Sequence, residues 1–389
     1  MAAYGLYLHF PFCRSRCAYC DFTTTTGREA LIPAYVQTLL EEADVLTRKA
    51  PGRIGIETVF LGGGTPSLVP AGEVVRLLRG LRRRFDFGNQ VEVTLEANPE
   101  GLGEEYLQIL RDAGVNRLSL GMQTGQDHLL RVMTRTHTSR DVLRAVNRAR
   151  RAGFKNLSLD LMIGIPGQDF VSWRASLNLA LELKPEHLSL YGMTVEPGTP
   201  FARLADRGLI GFPGGDHQAD LLEYAGAVLE EKGYSQYEIA NWSQPGCASA
   251  HNLRYWRMQP YLGLGVGAHG FTGRVRTENT ASLDQFLAGF GAEAAGGESF
   301  PQTPATVRSR PLDRETLIEE TLIMGLRLVE EGVNLTAFRE AFGVEPEDVY
   351  PREIKEMVKA GLLEYSGEIL RLTRRGGLLG NQVFSRLIR

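Results

Sequence analysis

Four cysteines in 389 residues are too few to staple a chain of this size, so a disulfide scaffold is excluded. Charge of either sign is not in excess. The 43 Lys and Arg against 46 Asp and Glu leave a net charge of −3, which gives no general attraction to nucleic acid. Long apolar runs are missing too. None approaches the roughly 18 residues that span a bilayer, and no integral membrane segment is expected. The opening MAAYGLYLHFPFC has no basic stretch ahead of a long apolar core, so no signal peptide is expected. What is present is the 43% apolar and 23% charged composition of an ordinary globular protein, with room for a large domain and a smaller one. Three of the four cysteines fall within residues 13–20, which points to metal chemistry in a reducing compartment, the cytoplasm.

Up to about residue 195 one pattern recurs: a short apolar strand, a loop, then an amphipathic helix. The strands read YGLYLHF (4–10), ETVFL (57–61), VEVTLE (91–96), NRLSLG (116–121), NLSLDL (156–161) and HLSLY (187–191). Helical periods lie between them and two stop at glycine, Gly114 and Gly153, as a left-handed helix end requires. Alternating strand and helix implies a parallel sheet with right-handed crossovers, and six units are too few to close an eight-stranded barrel. The fold class is therefore α/β: a partial (β/α)6 barrel over 1–200, a connecting region over 201–300, and a C-terminal module over 301–389. The last part is helical and ends in a hairpin turning at Ser366-Gly367, a winged-helix-like pattern without the basic third helix that DNA binding would want.

CRSRCAYC sets Cys13, Cys17 and Cys20 directly after the first strand. Three thiolates can hold three irons of a 4Fe–4S cubane and leave the fourth iron open. S-adenosylmethionine (SAM) can chelate that iron through its amino and carboxylate groups, and an electron passed to its sulfonium releases a radical. Zinc is the competing reading, but a structural zinc wants four ligands. Strand ends are where such sheets place chemistry, and these carry GGGTP, Glu96, Gly121-Met122-Gln123 and Asp160. Glu96 and Asp160 are costly in apolar strands unless a polar ligand or a charge meets them.

The cysteine loop following YLHFPF, with GGGTPS after the second strand, resembles the radical-SAM family that holds the oxygen-independent coproporphyrinogen III oxidases and the HemW-type haem chaperones. The resemblance runs through nearly the whole chain. It implies that Tyr7, the backbone of Tyr19, Gly63, Gly64, Thr65, Glu96, Gln123, Arg135 and Asp160 contact SAM, Arg135 through the methionyl carboxylate. It also implies a reduced flavodoxin- or ferredoxin-like electron donor. Two departures separate this chain from the oxidases. Phe22 stands where they carry a fourth cysteine, and little sequence precedes Cys13. Both match the chaperones and imply haem as a ligand and haemoproteins as recipients. His251, in HNLRYW, resembles the chaperones' haem-binding signature; an imidazole suits haem iron and Tyr255 and Trp256 offer flat faces. On the residues alone, a histidine packed on its aromatic neighbours competes with that role, and His269 and Cys247 are rival ligands.

Overall fold

The computed structural model describes residues 3–290 and 299–388. The chain packs as two compact units, one of residues 1–225 with 260–310, the other of residues 226–259 with 311–389. This division cuts through the 201–300 segment instead of setting it apart.

In the first unit, β1 (Ala3–Phe10), β2 (Gly55–Gly63), β3 (Asp86–Ala97), β4 (Arg117–Gln123), β5 (Leu157–Ile163) and β6 (His187–Gly192) pair in parallel in chain order. Between them run α1 (Ile32–Lys49), α2 (Ala71–Arg84), α3 (Glu104–Asp112), α4 (Ser139–Arg151) and α5 (Phe170–Glu182). This is the partial (β/α)6 arrangement. The period-two pattern of β1 explains its sidedness: Leu6, Leu8 and Phe10 are fully buried, and Phe10 packs 5.9 Å from the Tyr35 ring of α1. The alternate face carries Tyr7 and His9. Helices start and stop where the local chemistry says they should. Thr138 and Asp141 form a capping box on α4, and Asp169 accepts from the Ser172 amide of α5 at 2.8 Å. Gly114 and Gly153 take φ of 103° and 88° just after their helices.

The sheet does not end at β1. Tyr261–Leu264 (β7) pairs in parallel with it, followed antiparallel by His269–Phe271 (β8) and Val275–Asn279 (β9), with Thr306–Pro311 (β10) at the edge. The glycines of YLGLGVGAHGF read as a loop, yet they are there for close packing. A Cβ on Gly263 would lie 2.0 Å from the His269 carbonyl oxygen, and one on Gly265 would lie 2.4 Å from the Tyr35 hydroxyl. Glu42 of α1, fully buried, pins this extension. It accepts from the Gly265 amide at 2.8 Å, Asn279 Nδ2 at 2.7 Å and the Thr303 hydroxyl at 3.0 Å.

The second unit carries the expected mix of helices and hairpin. Val333–Asn334 (β11), Leu363–Tyr365 (β12) and Ile369–Leu372 (β13) form a sheet in the order β11-β13-β12. The hairpin turns at Ser366 and Gly367, with the Ser366 amide donating to the Ile369 carbonyl at 2.9 Å. Ile318, Leu322, Phe338, Ile354, Met357 and Leu370 belong to its core.

Candidate functional site

A cavity of about 410 Å³ opens at the C-terminal ends of β1 to β6. Its first wall is the cysteine loop. Phe12–Cys13 pairs in parallel with Thr25–Thr26, which closes the intervening residues into a compact loop. Cys13, Cys17 and Cys20 all line the cavity and all are free thiols. Cys13 Sγ lies 3.4 Å from the Thr65 hydroxyl, and Arg135 Nη1 donates to Cys17 Sγ at 3.5 Å. Burial raises the pKa of Cys13 and Cys20, and mutual repulsion among the three thiolates adds to it. A cationic metal body would relieve that repulsion. Among the described residues no group of three or more His, Cys, Asp or Glu converges on a single metal ion. Three thiols on one cavity match the ligand number of a cubane with one open iron and are one short of a structural zinc site.

The second wall is the glycine loop after β2. Gly63, Gly64 and Thr65 line the cavity. The Gly64 amide donates to the Phe10 carbonyl at 2.7 Å, and a Cβ there would lie 2.8 Å from the Phe12 oxygen. Gly63 sits at φ 110°, and a Cβ on it would fall 2.5 Å from the His9 ring. His9 Nε2 donates to the Thr23 carbonyl at 2.8 Å, since that oxygen only accepts. Its Nδ1 therefore accepts from the Tyr7 hydroxyl, 3.0 Å away. Tyr7 thus stands behind the loop and, alone among the expected contacts in this unit, is not a lining residue.

The floor is ionic. Glu96 Oε2 accepts from the Gly63 amide at 3.1 Å. Burial, and then the charge of Asp160, raises the Glu96 carboxyl to about 8, against the Gly63 hydrogen bond and Arg117. Asp160 is also raised by burial, opposed by hydroxyls of Ser189, Ser119 and Ser158 and by the charge of Arg117. The Ser119 hydroxyl reaches both Asp160 oxygens, at 3.1 and 3.2 Å. Asp160 does not end its strand, as the pattern suggested: β5 continues to Ile163, with Met162 also on the cavity.

The remaining wall holds Gln123 and Arg135. Gln123 has φ 63° at the end of β4. Arg135 does not pair with Glu96; its Nη2 donates to Asn98 Oδ1 at 2.6 Å and to the Gly121 carbonyl at 3.2 Å. Tyr19 lines the cavity with its ring 6.5 Å from that of Phe201. At the mouth, Phe22 and Tyr191 are 60% and 43% exposed. Sequence reasoning missed Asn98, Tyr191, Ser119, Ser158, Ser189 and Arg117. The serines and Arg117 had a signal: in NRLSLG, NLSLDL and HLSLY the polar residues fall on alternate positions, hence on one face.

His251 belongs to the other unit. It lies on α6 (Ala250–Trp256), started by Ser249, whose hydroxyl accepts from the Asn252 amide at 3.3 Å. The ring is fully buried, 5.1 Å and edge-on from Tyr255, and Nε2 is 2.8 Å from the Tyr255 hydroxyl. Trp256 is covered by the Arg327 guanidinium at 4.2 Å. His251 is thus held by its aromatic neighbour in this conformation. Cys247 is half-buried and His269, in the first unit, is exposed. No helix among the described residues is long and apolar enough to cross a membrane.

Residues 7–180 match the Radical SAM superfamily and residues 312–379 the HemN C-terminal domain. The chain is 36% identical to the heme chaperone HemW of Bacillus subtilis over 97% of both chains. It is 33% identical to that of Escherichia coli over 97% of this chain and 96% of the relative. It is also 34% identical to the mitochondrial radical S-adenosyl methionine domain-containing protein 1 of Bos taurus, over 96% and 84%. Among solved structures, the coproporphyrinogen III oxidase (HemN) of Escherichia coli shares the fold, with a TM-score of 0.83 at 24% identity over 99% of this chain and 90% of that one. Likeness at this level along the whole of both sequences places the chain in the HemW family of radical-SAM proteins.

Proposed function

We propose that this protein binds haem and passes it to haemoproteins, using a 4Fe–4S cluster on Cys13, Cys17 and Cys20 and SAM in the adjoining cavity. The carrying observation is the match to heme chaperones along the whole of both chains. The cavity supports the cofactor half of the reading. Its thiol wall fits the cluster, Gly63, Gly64 and Thr65 offer backbone to an ammonium group, and Arg135 offers a guanidinium to a carboxylate. Glu96 and Asp160 are acceptors for hydroxyls and counter-charges for a sulfonium. When bound and reduced, the cluster supplies the electron for SAM cleavage. A flavodoxin- or ferredoxin-like protein is the proposed donor and the cytoplasm the proposed compartment, in keeping with free thiols at the site.

His251 is the proposed haem ligand. Iron at Nε2 and the hydrogen bond to the Tyr255 hydroxyl claim the same nitrogen, so ligation there requires that hydrogen bond to break. Phe22, a side chain without a ligating atom, supports a chaperone over an oxidase. The test is to incubate the reconstituted anaerobic protein separately with haem and with coproporphyrinogen III, SAM and dithionite. One haem per chain is expected, with a Soret band altered in His251→Ala and unaltered in His269→Ala and Cys247→Ala. Protoporphyrinogen formed at enzymatic rates would overturn the proposal. A spectrum sensitive only to His269 or Cys247 would move the ligand there.

A further inference from the structure

Beneath the cavity, one layer further into the barrel, lies a guanidinium that no SAM contact accounts for. Arg117 opens β4 and stands beside Thr94 of β3 in the sheet register, two residues before Ser119. It is 2% exposed. Its Nε reaches no hydrogen-bond partner, nor does the neighbouring Thr94 hydroxyl. An arginine cannot shed its proton at ordinary pH, so a dry position for it is costly unless counter-charges stand nearby. They do: two residues along the same face of the sheet, Glu96 stands beside Ser119, whose hydroxyl holds Asp160 at 3.1 Å, and the Arg117 charge lowers the pKa of both carboxyls. The other ionisable groups facing this layer are His187 of β6, which burial and Arg117 keep neutral, and Tyr7 of β1, whose phenol burial and Glu96 push up. Ser158 links the layers, 2.8 Å from His187 Nδ1 and 3.4 Å from Asp160 Oδ1.

We propose that Arg117 is a positioning residue for the SAM cavity, the fixed counter-ion that keeps the Glu96 and Asp160 pair able to ionise against a cationic ligand. The inference rests on the reading of the cavity as a SAM site. Two like carboxyls in one dry floor resist ionising together unless a cation offsets them. With the guanidinium in place, Glu96, raised to about 8, holds its proton near pH 7 and ionises when the sulfonium arrives. Binding therefore releases a proton. Without the guanidinium, both carboxyls hold their protons to higher pH and offer the ligand less charge and fewer acceptors.

The test is SAM binding to the anaerobic, cluster-loaded protein by calorimetry from pH 6 to 10, for the natural protein, Arg117→Lys and Arg117→Met. Arg117→Met should bind about tenfold more weakly near pH 7 for each unit by which its carboxyls rise, and should converge on the natural protein at high pH. Arg117→Lys should keep the natural profile. A loss in Arg117→Met that is equal at every pH would show a merely structural role and overturn the inference, as would unchanged binding. If neither variant folds, the proton count in the natural protein decides. Titrations near pH 7 in two buffers of different ionisation heat should show close to one proton more released per SAM than Glu96→Gln releases, since the proton that the SAM ammonium sheds on binding iron is common to both, and equal counts refute the inference. A natural protein that binds no SAM at any pH would instead sink the cavity reading itself.

Discussion

Glu42 gives a prediction that can be worked from the structure and stands clear of the cavity. Its carboxyl is fully buried on α1 and receives three donors, from Gly265, Asn279 and Thr303. Burial raises it from 4.5 to about 8, and those three bonds pull the other way. A raised acid is protonated in the folded chain while it is ionised in the unfolded one. Its stability contribution is therefore complete below 4.5 and is lost as pH rises to about 8, after which it stays lost. The displacement corresponds to a loss on the order of 5 kcal/mol across that window, at about 1.4 kcal/mol per pH step. Glu42→Gln cannot ionise, so its stability curve should lack this fall, and the difference between the two proteins should shrink or reverse from pH 5 to pH 8. Glu96 titrates in the same range but is common to both proteins and cancels. The assay is urea unfolding read through Trp173, buried in the first unit, after Trp242 and Trp256 of the second are replaced by Phe. Parallel pH curves would refute the reasoning. They would mean that three hydrogen bonds outweigh burial and hold the carboxylate ionised throughout.

Two further outcomes are expected. Replacing any of Cys13, Cys17 or Cys20 with Ala should abolish the brown, dithionite-bleached absorbance of reconstituted protein, and Cys247→Ala should leave about four irons per chain, as counted by iron analysis. Gly63→Ala places a Cβ 2.5 Å from the His9 ring on a left-handed backbone. A strain of about 1–3 kcal/mol should cut SAM affinity by roughly tenfold or more in anaerobic calorimetry, with the iron content retained.

The barrel strands and the cysteine loop were legible because strand alternation and thiol spacing are local signals. The cavity followed from them, since parallel sheets gather their strand ends on one side. Asp160 was readable as a buried acid and misplaced at a strand end, because apolar Met162 and Ile163 continue the strand without altering the pattern. β7 was hidden by its own requirement. Gly263 within it is crossed by the His269 backbone and Gly265 just after it lies against Tyr35, and glycines so close together in a sequence read as a loop. Arg117 shares the alternate face of its strand with Ser119, which the sequence shows, but what its charge meets depends on the partners across the sheet, Thr94 and Ser119's neighbour Glu96. His251 was legible as a histidine among aromatics, while its hydrogen bond to Tyr255 needed coordinates.

The parallel pairing of β7 with β1 also decides how the protein can be dissected. The chain leaves the first unit at 225, contributes 226–259 to the second, and returns at 260 to lay a strand beside the one that leads into the cysteines. No single cut separates the units. A fragment stopping at 225 would strip β1 of its neighbour and leave its unpaired amides and carbonyls open to other chains. A fragment beginning at 311 would lack the helix that carries His251. An isolated barrel would need residues 1–225 spliced to 260–310 across a short bridge, and the excised excursion would have to be grafted onto the C-terminal part. In such molecules the proposed cluster site and the proposed haem ligand could be assayed apart.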